Sequence, residues 1–196
     1  MARNPVDEPI HQLLQERWSP YAFDPDRAVA GSDLDALFCA ARWAASSYNA
    51  QPWRYIVGVK GQSDEVWRQI HDEVLLEGNQ AWTANAPVLA LGVIETRFEH
   101  NGKPNAAAEH DLGAAAAQLT LEATARGLVV HQMIGLDGPK GHSLFGLEES
   151  QKVLTGLAIG YAGRPDALPE DIAKRDDKER SRKPLNEVLL RGGWAA

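Results

Sequence analysis

Four short stretches of the chain hold the polar groups that could do chemistry. In the first, Arg17-Trp18-Ser19-Pro20-Tyr21-Ala22-Phe23, an arginine stands two residues before a serine. A guanidinium offers forked donors and the hydroxyl one more, which suits a phosphate or a polyol chain. Ser-Pro is equally an ordinary helix stop. The second, Ser46-Ser47-Tyr48-Asn49-Ala50-Gln51-Pro52-Trp53, gathers two hydroxyls and two carboxamides before an apolar run. These are the donors and acceptors that the edge of a heterocyclic ring requires. Turn chemistry accounts for Ser46, Ser47 and Asn49 but leaves Gln51 and Trp53 unused. In the third, Val130-His131-Gln132-Met133-Ile134-Gly135, the glycine permits close backbone approach and the apolar residues could wall a ring. An internal strand ending in a glycine bulge fits the same residues. The fourth, Arg180-Ser181-Arg182-Lys183-Pro184-Leu185, sets two arginines on one side of an extended chain, as a phosphate clamp or as a solvated basic tail.

Other chemistries lack their anchors. The sequence has no G-x-S-x-G elbow, no G-x-x-x-x-G-K-[ST] loop and no G-x-G-x-x-G after a strand. Its six histidines (His11, His71, His100, His110, His131, His142) are scattered, and none forms an i, i+4 pair. Glu99-His100 and Glu109-His110 flank a polar turn and read as surface, so no metal site is expected. The single cysteine, Cys39, lies beside Phe38 on an apolar stretch and reads as a buried structural thiol.

The elements that must position these loops follow from periodicity. Ile10, Leu13 and Leu14 predict a short helix over 8–17, stopped by Ser19-Pro20. Ser32 with Asp35 three residues on resembles a capping signal for a second helix, with Leu34, Leu37, Phe38, Ala41 and Ala45 on one face. Residues 55–59 and 87–94 have strand composition without strict alternation, which predicts cover on both faces. Between them, residues 64–76 read as helical through Val66, Ile70 and Val74. Residues 109–126 form a helix apolar all round, with Glu109 and Asp111 at its start, Arg126 at its end and Gly127 beyond. Such a helix must be buried on every side, and in a small domain that calls for a second subunit. Strands are expected at 128–134 and 153–161, with a short helix at 143–149 between them. Residues 166–183 are Pro- and charge-rich, and the chain ends in Trp194-Ala-Ala. Helices and strands do not alternate regularly, which favours an α+β class over a doubly wound sheet.

Composition agrees with one domain. The chain has 196 residues, 44% apolar and 24% charged, enough for a real core. A formal net charge of −7 speaks against a nucleic-acid partner. No run of apolar residues is long enough for a membrane span, residues 1–10 lack a leader's apolar stretch, and a lone cysteine makes no intrachain disulfide. A cytoplasmic protein without membrane attachment is expected. The domain is read as residues 1–196, with a core at 8–190 and tails at 1–7 and 191–196.

Taken in order, R-x-S-P-x-x-F, S-S-x-N-x-Q-P-W, the Asp-Leu-Gly-Ala-rich helix, A-I-G-Y and the closing R-S-R-K-P-L resemble the FMN-dependent nitroreductase family, from about Arg17 to Val188. The resemblance implies an α+β fold with a central mixed sheet flanked by helices, in an intertwined homodimer with FMN at the subunit interface. Arg17, Trp18, Ser19 and Tyr21 would meet the ribityl phosphate and ring edge, and Arg180 and Arg182 would hold the phosphate. Ser46, Ser47, Asn49 and Gln51 would contact the flavin from the partner chain, and Gln132, Met133 and Gly135 would lie near its central ring. The implied activity is reduction of nitroaromatic, quinone or similar planar acceptors with NADPH or NADH, by ping-pong hydride transfer through the flavin. No protein group serves as catalyst in the chemical step, because the flavin performs it.

The sequence departs from that family at two points. Tyr21 stands where relatives commonly carry Arg or Lys, which leaves a reduced flavin less stabilised and predicts a lower potential. Gly127-Leu128-Val129 replaces the usual Gly-Leu-Gly. A substrate-selecting lid would lie within 77–105, where Trp82, Phe98 and Asn101 offer contacts, but that stretch is also long enough to be only a dimer-swapped connection. Such a lid would favour a dedicated reaction, reductive dehalogenation or flavin breakdown; a non-catalytic flavin-binding or structural protein is the other alternative.

Overall fold

The computed structural model describes residues 4–176 and 178–192, so Trp194-Ala-Ala lies outside the described residues. Four strands, β1 (Trp53–Val59), β2 (Val88–Glu95), β3 (Val129–Met133) and β4 (Gln151–Gly160), form one sheet in the order β1-β2-β4-β3. The helices are α1 (Gln12–Glu16), α2 (Gly31–Arg42), α3 (Asp64–Arg68), α4 (Glu77–Thr83), α5 (Ala108–Ala125), α6 (Gly138–Leu144), α7 (Glu170–Asp176) and α8 (Leu185–Val188). The class is α+β, as the irregular alternation predicts.

The sheet is antiparallel at every ladder, not mixed. β2 and β3 do run in the same direction and are joined through α5, which is the unit that would give a parallel pair. β4 is inserted between them, so each parallel neighbour is replaced by an antiparallel one. The missing alternation in the strands has the expected cause. Val88, Ala90 and Ile94 of β2 join the core under α2 and α5, whereas Leu89, Leu91 and Val93 join a second core with Trp67, Ile70, Val74 and Trp82. A strand covered on both faces has no polar side to show.

Other boundaries moved for local reasons. The first helix is only five residues long and buries none of them; it starts where the His11 ring accepts the Leu13 N–H. Ser32 is not a cap, since Ala30 holds that position without a side-chain bond. The second helix ends at Arg42, so Ala44 rather than Ala45 is buried. α3 continues into a π-helical turn, Gln69–Val74, which completes the helix read over 64–76. The helix read at 143–149 begins earlier, at Gly138, because Asp137 accepts the Lys140 N–H and Pro139 fits the first turn. The tail carries α7, which buries Ile172, and α8, which buries nothing.

α5 is the axis of the molecule. Leu112, Ala115, Ala116, Leu119, Thr120 and Ala123 are buried, and Arg126 ties the C-terminal end to α2 through Asp33 at 3.1 Å. Gly127 follows in the left-handed region, φ +73°, as a C-terminal glycine should. Within one chain the helix is not buried all round: Gly113, Ala117 and Gln118 face solvent. Leu119 is fully buried. Leu119→Ala is expected to cost about 2–5 kcal/mol, measured by urea unfolding, with an unchanged denaturant slope.

Candidate functional site

The first and fourth loops meet, although they lie at opposite ends of the chain. Arg17 closes α1, and its backbone carbonyl accepts both Asn4 Nδ2 at 2.9 Å and Arg180 Nη1 at 3.1 Å. Its guanidinium turns toward Ser19, donating from Nη1 to Oγ at 3.2 Å. Arg182 is near enough to oppose that charge, and the pKa of Arg17 is held below its ordinary value by burial first and by Arg182 second. Trp18, Ser19, Asp176 and Arg180 line a pocket of about 340 Å³. A second pocket of about 150 Å³ shares Arg180 with it and adds Arg17 and Arg182.

Two clamps fix the backbone of the first loop. The Tyr21 N–H donates to Asp176 Oδ1 at 2.6 Å, bringing α7 against it. The Pro20 carbonyl accepts a bond from His131 Nδ1, 2.8 Å away on β3. Tyr21 itself packs edge-on against Trp82 and His131, with ring centroids 5.3 and 4.7 Å apart. Trp82 is 2% exposed and bonds Asn79 through its indole N–H, so it is a wall behind Tyr21 and not a contact surface for substrate.

The second loop is strained and tightly tied. Tyr48, Asn49 and Gln51 all have positive φ (53°, 54° and 47°), a conformation that disfavours L side chains by about 1–2 kcal/mol each. Ser46 Oγ accepts the Gln51 N–H, and the Ser47 N–H donates to buried Asp111 Oδ2, both at 3.0 Å. Asp111 lies in the first turn of α5, where the helix dipole favours a carboxylate. Asn49 and Gln51 are exposed, and the Gln51 amide reaches back to the Asn49 carbonyl. Strain held by several bonds is characteristic of preorganised sites. Tyr48, 85% exposed, stands edge-on to Phe98 at 5.7 Å, so the hairpin bearing Phe98 joins this loop.

The third loop divides by strand face. Gln132 points to α5, donating to Thr120 Oγ1 at 2.9 Å and the Ala116 carbonyl at 3.2 Å. Met133 points the other way, and its side chain is core. Gly135 is held by Asn79, whose amide donates to the glycine carbonyl; a Cβ at Gly135 would lie 2.6 Å from that nitrogen. The close approach foreseen at this glycine is thus made by a side chain of the protein itself.

Arg17, Trp18, Ser19, Tyr21, Arg180 and Arg182 therefore form one cluster. Ser46, Ser47, Asn49 and Gln51 form another at the start of α5, with Gln132 tied five to nine residues further along it, about 8–14 Å by helical rise. The sequence shows Asp111 only as a helix start, His131 only as part of the third stretch and Asp176 only as one charge in the tail, because each acts on a backbone atom far away in the chain. The described residues contain no group of three or more metal-ligating side chains and no helix long and apolar enough to cross a membrane.

Comparison with known proteins gives this arrangement a class. A profile of the nitroreductase family matches residues 14–161, and the chain belongs to that family, which places it among the oxidoreductases. A crystal structure described as an oxidoreductase containing FMN superposes with a TM-score of 0.90 at 31% identity, covering 100% of this chain and 98% of that one. The uncharacterized 15.4 kDa protein in the ask 5′ region of Mycolicibacterium smegmatis is 32% identical over 147 residues, covering 72% of this chain and 97% of its own. The major NAD(P)H-flavin oxidoreductase of Aliivibrio fischeri is 39% identical over 67 residues, 34% of this chain and 29% of its own length.

Removing the Asp111 carboxylate should free the second loop. Asp111→Ala is expected to destabilise the protein by about 1–3 kcal/mol and to raise amide exchange at Ser47, read by hydrogen exchange.

Proposed function

We propose that the protein is an FMN-dependent oxidoreductase that uses NADPH or NADH to reduce planar acceptors such as nitroaromatics and quinones. The observation that carries this reading is the meeting of Arg17, Ser19, Arg180 and Arg182 around adjoining pockets. Arg17 is half-buried and crowded by Arg182, a pairing that a bound phosphate would relieve. Asp176 Oδ2 is buried with no partner among the described residues, which gives a polyol hydroxyl an acceptor in the same pocket. The donor set thus fits a ribityl phosphate, and the whole-chain similarity to an FMN-containing oxidoreductase supports the same ligand.

FMN, held by these residues, would supply the two-electron redox chemistry that links a nicotinamide donor to the acceptor. The protein's part is grip and orientation. Arg17, Ser19, Arg180 and Arg182 hold the phosphate end, and Asp176 and His131 keep their loop in place. Trp18 and Tyr21 lie beside that end. Ser46, Ser47, Asn49 and Gln51 provide the polar edge for the ring, with Gln132 and the backbone at Met133 and Gly135 near it. Phe98 and Tyr48 offer aromatic surface to a planar acceptor.

The site requires two chains in this reading. Ile134, Trp43 and Leu190 are 85%, 77% and 89% exposed, and the outer face of α5 shows Gly113 and Ala117. Large apolar groups left in water on this scale fit a homodimer interface.

Three results are expected. The purified protein is yellow, and its flavin absorption bleaches on anaerobic addition of NADPH or NADH; a protein that neither carries nor takes up FMN overturns the proposal. Arg182→Ala weakens FMN binding by about 1.5–3 kcal/mol, roughly tenfold to hundredfold in Kd, with the fold intact by circular dichroism. Ala117→Glu shifts the protein to monomer in sedimentation; a dimer unaffected by that charge excludes this face from the interface.

A further inference from the structure

His131 is a buried titratable group that the proposed chemistry does not use. It lies on β3 with its ring 4.3 Å from Trp82 and 4.7 Å from Tyr21, centroid to centroid. Because the Pro20 carbonyl can only accept, the proton of the neutral ring sits on Nδ1, and Nε2 is the atom left to titrate. Among the described residues, the charged groups that face it come from three segments: Arg17 from the first loop, Arg180 from the tail and Asp176 from α7. The phenol of Tyr21 is the other titratable group against it.

We propose that His131 is a positioning residue for the phosphate end of the site and its proton-linked member, so that anion binding at the arginine cluster and proton uptake by His131 favour each other. The inference rests on the reading of that cluster as the phosphate end of a flavin site. Its geometry is a single chain of contacts: His131 holds Pro20, the Pro20 loop carries Arg17 and Ser19, and Arg180 holds the Arg17 carbonyl.

The electrostatics give the sign. Burial is the largest influence and lowers the His131 pKa, Arg17 and Arg180 lower it further, and the Pro20 bond and Asp176 act in the opposite direction. A dianion on Arg17 and Arg180 offsets the two cations, so the bound state favours the imidazolium more than the free state does. By linkage, the anion then binds more tightly as pH falls through the interval between the free and bound pKa values. In the free protein the sign is reversed for folding. The unfolded chain binds the proton more readily, so stability is lost as pH falls from the ordinary histidine range toward the lowered folded value.

The test is an NMR titration of the His131 ring in chloride and in sulfate at matched ionic strength, then with FMN. Sulfate is doubly charged and does not itself titrate near neutrality, so any change in midpoint belongs to the protein. The expected result is an upward shift of the His131 midpoint in sulfate and in FMN. Two variants separate titration from position. His131→Asn keeps a donor where Nδ1 stood and should bind FMN like wild type in mildly alkaline buffer, while losing the extra tightening at lower pH. His131→Ala should bind FMN more weakly throughout. An unmoved midpoint in both ligands overturns the proposal, as does an Asn variant with the pH dependence of wild type. Sulfate shifting the midpoint in a protein that retains no FMN would uphold the linkage and defeat the flavin reading. FMN retained with no shift would do the reverse. If the variants do not fold, the wild-type midpoint decides alone, assigned through ring contacts with Trp82 and Tyr21.

Discussion

The packing of α5 is the constraint from which the rest of this structure follows. Small side chains on its buried face, Ala115, Ala116 and Ala123, let it lie close to the sheet and to α2. That proximity makes its backbone and polar groups usable as anchors. Asp111 in the first turn holds the strained 46–51 loop, the Ala116 carbonyl and Thr120 hold Gln132, and Arg126 just beyond the last turn holds Asp33. One rigid helix thus sets the spacing of two loops that are 81 residues apart, counted from Gln51 to Gln132. Larger residues on that face would separate the layers and leave the anchors out of reach.

Much of the fold was legible because it depends on local pattern. The α5 helix, its acidic start and its C-terminal glycine are all visible in 109–127, and the non-alternating strands announce a sheet covered on both faces. The sheet's direction was not legible. β2, α5 and β3 look like a parallel crossover in sequence, and only the insertion of β4 between the two strands makes every ladder antiparallel. Ser32 resembles a cap because capping residues are favoured at helix starts, yet the cap position falls two residues earlier, at Ala30, which makes no side-chain bond.

The candidate donors stand out in the sequence by residue type, whereas the bonds that clamp them do not. Arg17, Ser19, Arg180 and Arg182 are picked out by type, as guanidinium and hydroxyl donors that suit a phosphate, although a helix stop and a solvated basic tail fit the same residues. What holds them is encoded at long range. The Ser47–Asp111, Pro20–His131 and Tyr21–Asp176 bonds span 64, 111 and 155 residues and each ends on a backbone atom, which carries no residue-type signal. Met133 and Trp82 show the converse error. Both are polarisable or aromatic and lie near candidate loops, but the strand face and the α4 packing turn them into core.

Charge placement adds a last step. Some other arginines in this acidic chain are matched with carboxylates: Arg126 with Asp33 and Glu122, Arg164 with Asp166. Arg17 instead donates to the Ser19 hydroxyl and Arg182 to the Ser181 carbonyl, so neither of those bonds neutralises a cation. The nearby carboxylate of Asp176 is turned to the Tyr21 N–H, a choice that spends the negative charge on holding the loop. Arg182 lies near enough to lower the Arg17 pKa, and the Arg17 carbonyl joins the two chain ends by accepting from Asn4 and from Arg180. An anion bound there, as proposed, would relieve the repulsion between Arg17 and Arg182 and so would also stabilise the contact between residues 17 and 180.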